Sequence, residues 1–237
     1  MPKLFVVPTP IGNLDDITLR ALRVLSQAAF VLAEDTRTTS VLLRHHGLSV
    51  PLSPFHLHNE HRATPRLVMQ IGAADSVALV SDAGTPGISD PGFLLVRACL
   101  EAGIEVECLP GATAFVPALV QSGFPMERFT FEGFLPVKKG RRTRIVAIAA
   151  EPRTTVLYES PHRIVRLLSE LAEALPAARL VSVSRELTKI HAETRTGSAG
   201  ELLAHFQSAE PRGEFVVVIG PASRQTAATD AGDDGED

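Results

Sequence analysis

Four apolar, strand-like runs in the first half of the chain each end in a loop rich in glycine, proline or acidic residues, and this repetition restricts the possible folds severely. Leu4–Val7 leads into Pro8-Thr9-Pro10-Ile11-Gly12-Asn13, and Phe30–Ala33 into Glu34-Asp35-Thr36-Arg37. Val77–Val80 leads into the long loop Ser81–Gly92, and Glu105–Leu109 into Pro110-Gly111-Ala112-Thr113-Ala114. Helical spacing falls between them, through Leu19, Leu22, Leu25 and Ala28, over Phe93–Ala102, and over Thr113–Gln121. The runs carry few polar residues, as strands covered on both faces do. Strands alternating with helices predict a parallel sheet with right-handed crossovers. Ligands of such sheets bind beyond the carboxyl ends of the strands, so four unusual loops gathered on that edge predict a site.

The texture changes at Ser122-Gly123-Phe124-Pro125. Beyond it the sequence predicts strand Phe129–Phe134, helix Lys138–Ala150, strand Thr154–Leu157, helix Ile164–Leu175, strand Leu180–Ser184, helix Ala199–Phe206 and strand Phe215–Ile219. Gly213-Glu214 suits a turn that closes an antiparallel pairing, so this second sheet is expected to be mixed. The fold class expected is therefore α/β: a parallel-sheet domain over 1–122, a mixed-sheet domain over 123–222, and an acidic disordered tail over 223–237. With 237 residues, 45% of them hydrophobic, the chain can build both cores. The tail holds Asp230, Asp233, Asp234, Glu236 and Asp237, and without it acidic and basic residues balance. Nucleic-acid affinity must then come from a local patch. Cys99 and Cys108 are expected to be reduced, the start at Met1-Pro2-Lys3 shows no leader, and no apolar stretch approaches the roughly 20 residues of a membrane span. The expectation is a cytoplasmic protein.

The strand-end loops lack GxxxxGK[ST] and GxGxxG. Their prolines remove amide donors that a polyphosphate would need, while Asp35 and Asp82 add negative charge. A compact cationic or zwitterionic ligand suits such loops better than a nucleoside triphosphate.

The series PTPIGNLDD, AEDTR, SDAGTPGISDPG, PGATA, SGFP, EGFLP, YESPHR and SRELTK resembles the motif series of the tetrapyrrole-methylase superfamily, in particular its branch acting on small-subunit ribosomal RNA. The resemblance runs from Leu4 to Gly220. It implies two α/β domains with S-adenosylmethionine between them, usually as a homodimer. It also implies methyl transfer to the 2′-hydroxyl of a cytidine in the decoding region, on free RNA or an assembled small ribosomal subunit. Carried over, Pro10, Ile11 and Gly12 would flank the cofactor. Asp82, Gly84 and Thr85 would line its methionine end, Thr113 and Ala114 would lie against it, and Leu157, Tyr158 and Glu214 would add contacts from the second domain. The corrin and porphyrin enzymes of the superfamily tend toward GxGxGD and GDP loops, where this chain has PTPIGN and Ser81-Asp82. That favours the ribosomal branch over a methylase of corrin or porphyrin precursors. A non-catalytic module that binds S-adenosylmethionine is the other alternative.

A sugar hydroxyl is a poor nucleophile until it loses its proton, so a general base or a cation beside the developing alkoxide is expected. Three clusters follow predicted strands: Asp35 with Arg37; Glu159 with His162 and Arg163; and Arg185 with Glu186 and Lys189. Glu159 and Lys189 are the expected catalytic pair; helix capping and surface pairing are the bland alternative. Lys138, Lys139, Arg141, Arg142 and Arg144 form the strongest basic run and, with His162 and Arg163, are expected to hold RNA phosphates. His45, His46, His56, His58 and His61 read as a polar loop facing RNA or a partner subunit, and no metal is expected.

Overall fold

The structure, a computed structural model, describes residues 1–57, 59–208 and 210–222; the acidic tail and His58 lie outside the described residues. The first half runs β1 (Lys3–Val6), α1 (Leu19–Gln27), β2 (Val31–Ala33), α2 (Thr36–His45), β3 (Leu52–Pro54), α3 (Glu60–Gly72), β4 (Ser76–Val80), α4 (Phe93–Glu101), β5 (Glu105–Cys108) and α5 (Phe115–Ser122). Its five strands lie in the order β3-β2-β4-β1-β5, all parallel. Leu4, Val77 and Leu79 point to one face, against Leu67 and Ile71 of α3 and Leu95 and Cys99 of α4. Val31, Ala33, Ala78 and Val80 point to the other, against Ala21 and Leu25 of α1 and Leu43 of α2. Both faces are covered, which is why these strands read as nearly continuous apolar runs.

The second half runs β6 (Phe129–Phe134), α6 (Arg141–Ala150), β7 (Thr154–Glu159), α7 (Ile164–Ala174), β8 (Val181–Arg185), β9 (Glu193–Gly197), α8 (Ala199–Gln207) and β10 (Phe215–Ile219). The sheet order is β6-β7-β10-β8-β9, with β6 and β7 parallel and the other pairs antiparallel. The sheet is thus mixed. One face packs on α6, α7 and α8 through Leu157, Val183, Phe215 and Val217. The opposite face, with Val156, Val216 and Val218, packs on Ala118 and Leu119 of α5 and on Ile11. Helix α5 therefore covers the second sheet, although it precedes the change of texture at Gly123, whose φ of 68° ends it. Packing places the change of body before α5, whereas the sequence put the boundary after it.

Helices α2 and α3 and strands β3 and β9 have no counterpart in the sequence expectation. The stretch expected as a histidine-rich polar loop places His45 at the end of α2 and His61 in α3. Glu60 opens α3 and is buried; its carboxylate accepts from the amides of Gly92 (3.0 Å) and Leu94 (3.2 Å) at the start of α4. An acidic side chain there satisfies otherwise orphaned helix amides. Strand β9, Glu-Thr-Arg-Thr-Gly, has no apolar residue to mark it, and it is an edge strand, where charged residues discourage pairing with another chain. Helix α6 begins at Arg141, later than expected, because Gly140 turns the chain at φ 83°.

Candidate functional site

The carboxyl ends of β1, β2, β4 and β5 open onto a cavity of about 380 Å³, whose other wall is the apolar-and-acidic edge of the second sheet. The first and third loops are stitched together: Thr9 and Gly84 exchange both backbone hydrogen bonds at 2.9 Å, and the Thr9 hydroxyl donates to the Ser81 carbonyl at 3.0 Å. The third and fourth loops meet where Thr85 Oγ1 lies 2.7 Å from Thr113 Oγ1 and donates to the Ala112 carbonyl at 3.0 Å. Ile11, Asp82, Gly84, Thr85, Thr113, Ala114, Tyr158 and Glu214, of the residues expected near the cofactor, all line this cavity. Pro10, Gly12 and Leu157 do not: Pro10 is buried behind the loop, and Leu157 points into the helix-covered core of the second domain.

The charge of the cavity is one-sided. Glu34, Asp82, Asp90 and Glu214 line it, and among the described residues no lysine, arginine or histidine does. The Asp82 amide donates to Glu34 at 3.4 Å, and the Asp35 amide donates to Asp82 at 3.0 Å. Desolvation raises the carboxyl groups of Glu34 and Asp82 above their ordinary range, and each also feels neighbouring carboxylates. Asp90 moves furthest, to about 7, through burial first and then through Glu34. A carboxyl poised near neutrality in a cleft suits general-base chemistry, and Asp90 is the residue sequence reasoning passed over. It stands in the Ser81–Gly92 loop, and nothing local distinguishes it from a turn residue.

The expected catalytic residues are dispersed. Glu159 borders the cavity through its backbone position at the end of β7, but its side chain is fully buried and turned away. Its carboxylate meets Arg163 at 2.8 Å and Arg141 at 3.4 Å, and it accepts from the Ser160 amide at 2.9 Å. Arg141, itself 2% exposed, also pairs with Glu170 at 2.7 Å. A carboxylate clamped by two guanidiniums in a core is a structural anchor, which corrects the reading of Glu159 as a base. Lys189, the other residue expected to be catalytic, binds Glu186 (2.8 Å) and Glu214 (3.2 Å) through Nζ and does not line the cavity. Asp35 caps α2 and holds Arg37 at 2.6 Å, which keeps its carboxyl low, at about 2; neither residue lines the cavity. Arg185 faces Glu193 at 3.7 Å, away from the cavity.

The basic run divides in the same way. Lys138, Lys139, Arg142 and Arg144 are exposed, whereas Arg141 is buried, so its expected hold on phosphate is corrected to a core ion pair. Arg144 also reaches Glu132 at 3.1 Å. His162 is exposed, and Arg163 lies between Glu159 and the cavity mouth.

A family model described as Tetrapyrrole (Corrin/Porphyrin) Methylases matches residues 3–203. The chain belongs to this family. A ribosomal RNA small subunit methyltransferase I of Escherichia coli O157:H7 is 48% identical over 92% of this chain and 77% of its own length. The protein of the same name from Thermotoga maritima is 43% identical over 92% and 98%. Among solved structures, a uroporphyrin-III-C-methyltransferase from Thermus thermophilus is 24% identical, with a TM-score of 0.66 over 93% of this chain and 94% of that one. A cobalt precorrin-4 methyltransferase is 16% identical with a TM-score of 0.69. These two share the fold of this chain.

In this methylase the two domains are latched at the rim of the cleft. The Asn13 amide donates to Thr188 Oγ1 at 3.1 Å, in a segment where Glu186 and Thr188 both hold positive φ, at 51° and 64°. Gly12 lies so close that a Cβ there would come within 2.5 Å of Lys189 Cγ and 2.9 Å of the Leu187 carbonyl. Gly12→Ala should therefore overpack this contact and lower stability by about 1–3 kcal/mol in urea unfolding. Gly200→Ala, at a helical site with nothing within 4 Å, should instead leave stability unchanged or slightly raised.

Proposed function

We propose that the chain is an S-adenosylmethionine-dependent methyltransferase that 2′-O-methylates a cytidine of small-subunit ribosomal RNA in the decoding region. The observation that carries this reading is the lining of the cleft: four carboxylates, no opposing cation among the described residues, and Asp90 near neutrality. The acceptor comes from the names of relatives that are 43% to 48% identical.

The residues present fit the cofactor. Carboxylates of Glu34, Asp82 and Asp90 suit a ligand bearing sulfonium and ammonium charge, and Gly84, at φ 79°, brings backbone to the cavity wall without a side chain. When bound, S-adenosylmethionine supplies an electrophilic methyl group. The protein orients the acceptor and handles its proton: Asp90 in its ionised form accepts the hydroxyl proton, with Ser81 as its hydrogen-bond partner. A homodimer and a cytoplasmic location belong to the same reading. Phe93 and Leu100, exposed on one face of α4, offer apolar surface for a dimer. No helix among the described residues is long and apolar enough to cross a membrane.

The exposed cations grip the RNA backbone. Neutralising Lys138, Lys139, Arg142 and Arg144 together should weaken binding to small subunits and reduce the slope of log K against log salt by up to about 0.7 to 0.9 per lost phosphate contact. The reading as a whole is tested by offering labelled S-adenosylmethionine with undermethylated small ribosomal subunits and, separately, with a uroporphyrinogen-type macrocycle. Label in the RNA supports it; label in the macrocycle alone replaces it with the corrin and porphyrin reading, and binding without transfer with the sensor reading.

A further inference from the structure

We propose that Phe134 is the platform on which the base of the acceptor nucleotide stacks, an inference that rests on the RNA-methylating reading above. The carrying feature is an irregularity in β6. Phe129 pairs with Thr154 and Phe131 with Val156, then the register slips so that Gly133 pairs with Leu157 and Phe134 with Tyr158. Glu132 is the extra residue. Without this bulge, strict alternation would turn Phe134 to the same side as Leu157, into the core beneath α6 and α7. With it, Phe134 joins Tyr158 on the cleft side. Bulges are used beside functional sites to re-aim a side chain in this way. This one is secured, since Arg144 holds the Glu132 carboxylate at 3.1 Å and Gly133 takes φ 61°.

The outcome is costly unless it is used: a phenylalanine taken out of a core and left 50% exposed at the cavity mouth. It is also held rigidly. Tyr158 meets its ring at 5.6 Å, Phe131 meets Tyr158 at 5.1 Å, and Phe115 of α5 backs Phe131 at 4.9 Å. The Arg163 guanidinium lies over the Phe134 ring, 5.9 Å from its centroid. Arg163 cannot swing away freely, because it pairs with Glu159 at 2.8 Å and donates to the Leu135 carbonyl at 3.1 Å. An exposed aromatic face with a fixed guanidinium beside it is the arrangement on which unstacked RNA bases are held.

Position narrows the ligand further. Phe134 is the outermost of these four rings, so it meets a group arriving from solvent. Four and five residues on stand Lys138 and Lys139, exposed and suited to the phosphates of the same strand. Asp90 lines the cavity that Phe134 borders, so a base on the ring directs its ribose toward the proton acceptor.

The test compares Phe134→Ala, Phe134→Leu and Phe134→Trp with the unchanged enzyme, measuring methyl transfer to undermethylated small subunits and the affinity for S-adenosylhomocysteine. Transfer, as kcat/KM, should fall by about 5- to 100-fold in the Ala and Leu variants, and Trp should recover most of it. Affinity for S-adenosylhomocysteine should stay within about 2-fold throughout, as a ring that serves the acceptor base and not the cofactor requires. Full transfer by Phe134→Leu would overturn the platform while leaving the RNA reading intact. So would a loss of S-adenosylhomocysteine affinity by the same factor as transfer, which would give the ring to the cofactor. An unchanged enzyme that transfers nothing to the subunits would overturn the RNA reading, and the platform with it.

Discussion

Asp90→Asn should lower the rate of methyl transfer by about 10²- to 10⁴-fold, the range typical of a positioned general base, without unfolding the protein. The carboxyl sits at about 7 because burial and the Glu34 and Asp82 carboxylates penalise its charge. Only the ionised form accepts a proton, so the single-turnover rate of the unchanged enzyme should rise through about pH 7 and level off above it. The Asn variant should lack that limb. Stability moves the other way. Between the ordinary Asp value of 3.8 and about 7 the folded state binds more protons than the unfolded one, so this group's contribution falls as pH rises across that window. Asp90→Asn removes the loss and should resist unfolding at least as well as the parent at alkaline pH. Cofactor affinity carries a further signature. A sulfonium favours ionised Asp90, so affinity for S-adenosylmethionine should increase with pH more steeply than affinity for the uncharged thioether of S-adenosylhomocysteine. A flat rate profile that is the same in both proteins would remove Asp90 from the chemistry.

Glu159→Ala should act at the end of β7 and through another mechanism. It strips Arg141, 2% exposed, of one of its two carboxylate partners, and Arg163 of its partner at 2.8 Å. Breaking a buried pair typically costs about 3–5 kcal/mol, so the urea midpoint should drop sharply, and activity should disappear with the fold. Glu159→Gln keeps the shape and an acceptor for the Ser160 amide, and should be less damaging. A Glu159→Ala protein that unfolds like its parent but transfers no methyl group would restore the carboxylate to the chemistry.

What the sequence revealed and what it hid have separate physical causes. The strand-end loops were legible because buried parallel strands are apolar throughout, so the polar, glycine-rich breaks between strand and helix stand out. Eight of the residues expected at the cofactor do line one cavity. Glu159 and Arg141 were misread although the signal was there. Glu159 alternates with Leu157 on the core face of β7, and Arg141 stands four and seven residues before Ile145 and Ile148, on the buried stripe of α6. Charge drew attention to these residues, and periodicity would have placed them. Asp90 and Phe134 offered no such signal. The first owes its proton affinity to burial and then to Glu34 and Asp82, which only the folded loops supply, and the second owes its direction to one extra residue in a strand pairing. Strands β3 and β9 stayed hidden because they are short or polar edges with no apolar alternation to read.

The most direct measurement is where the methyl group ends up. Undermethylated small ribosomal subunits would be incubated with the protein and labelled S-adenosylmethionine, and the RNA hydrolysed in alkali. A 2′-O-methylated nucleotide cannot cyclise onto its own phosphate, so label in an alkali-stable dinucleotide that begins with cytidine is the predicted result. Label released in mononucleotides, or no label in the RNA at all, would contradict it.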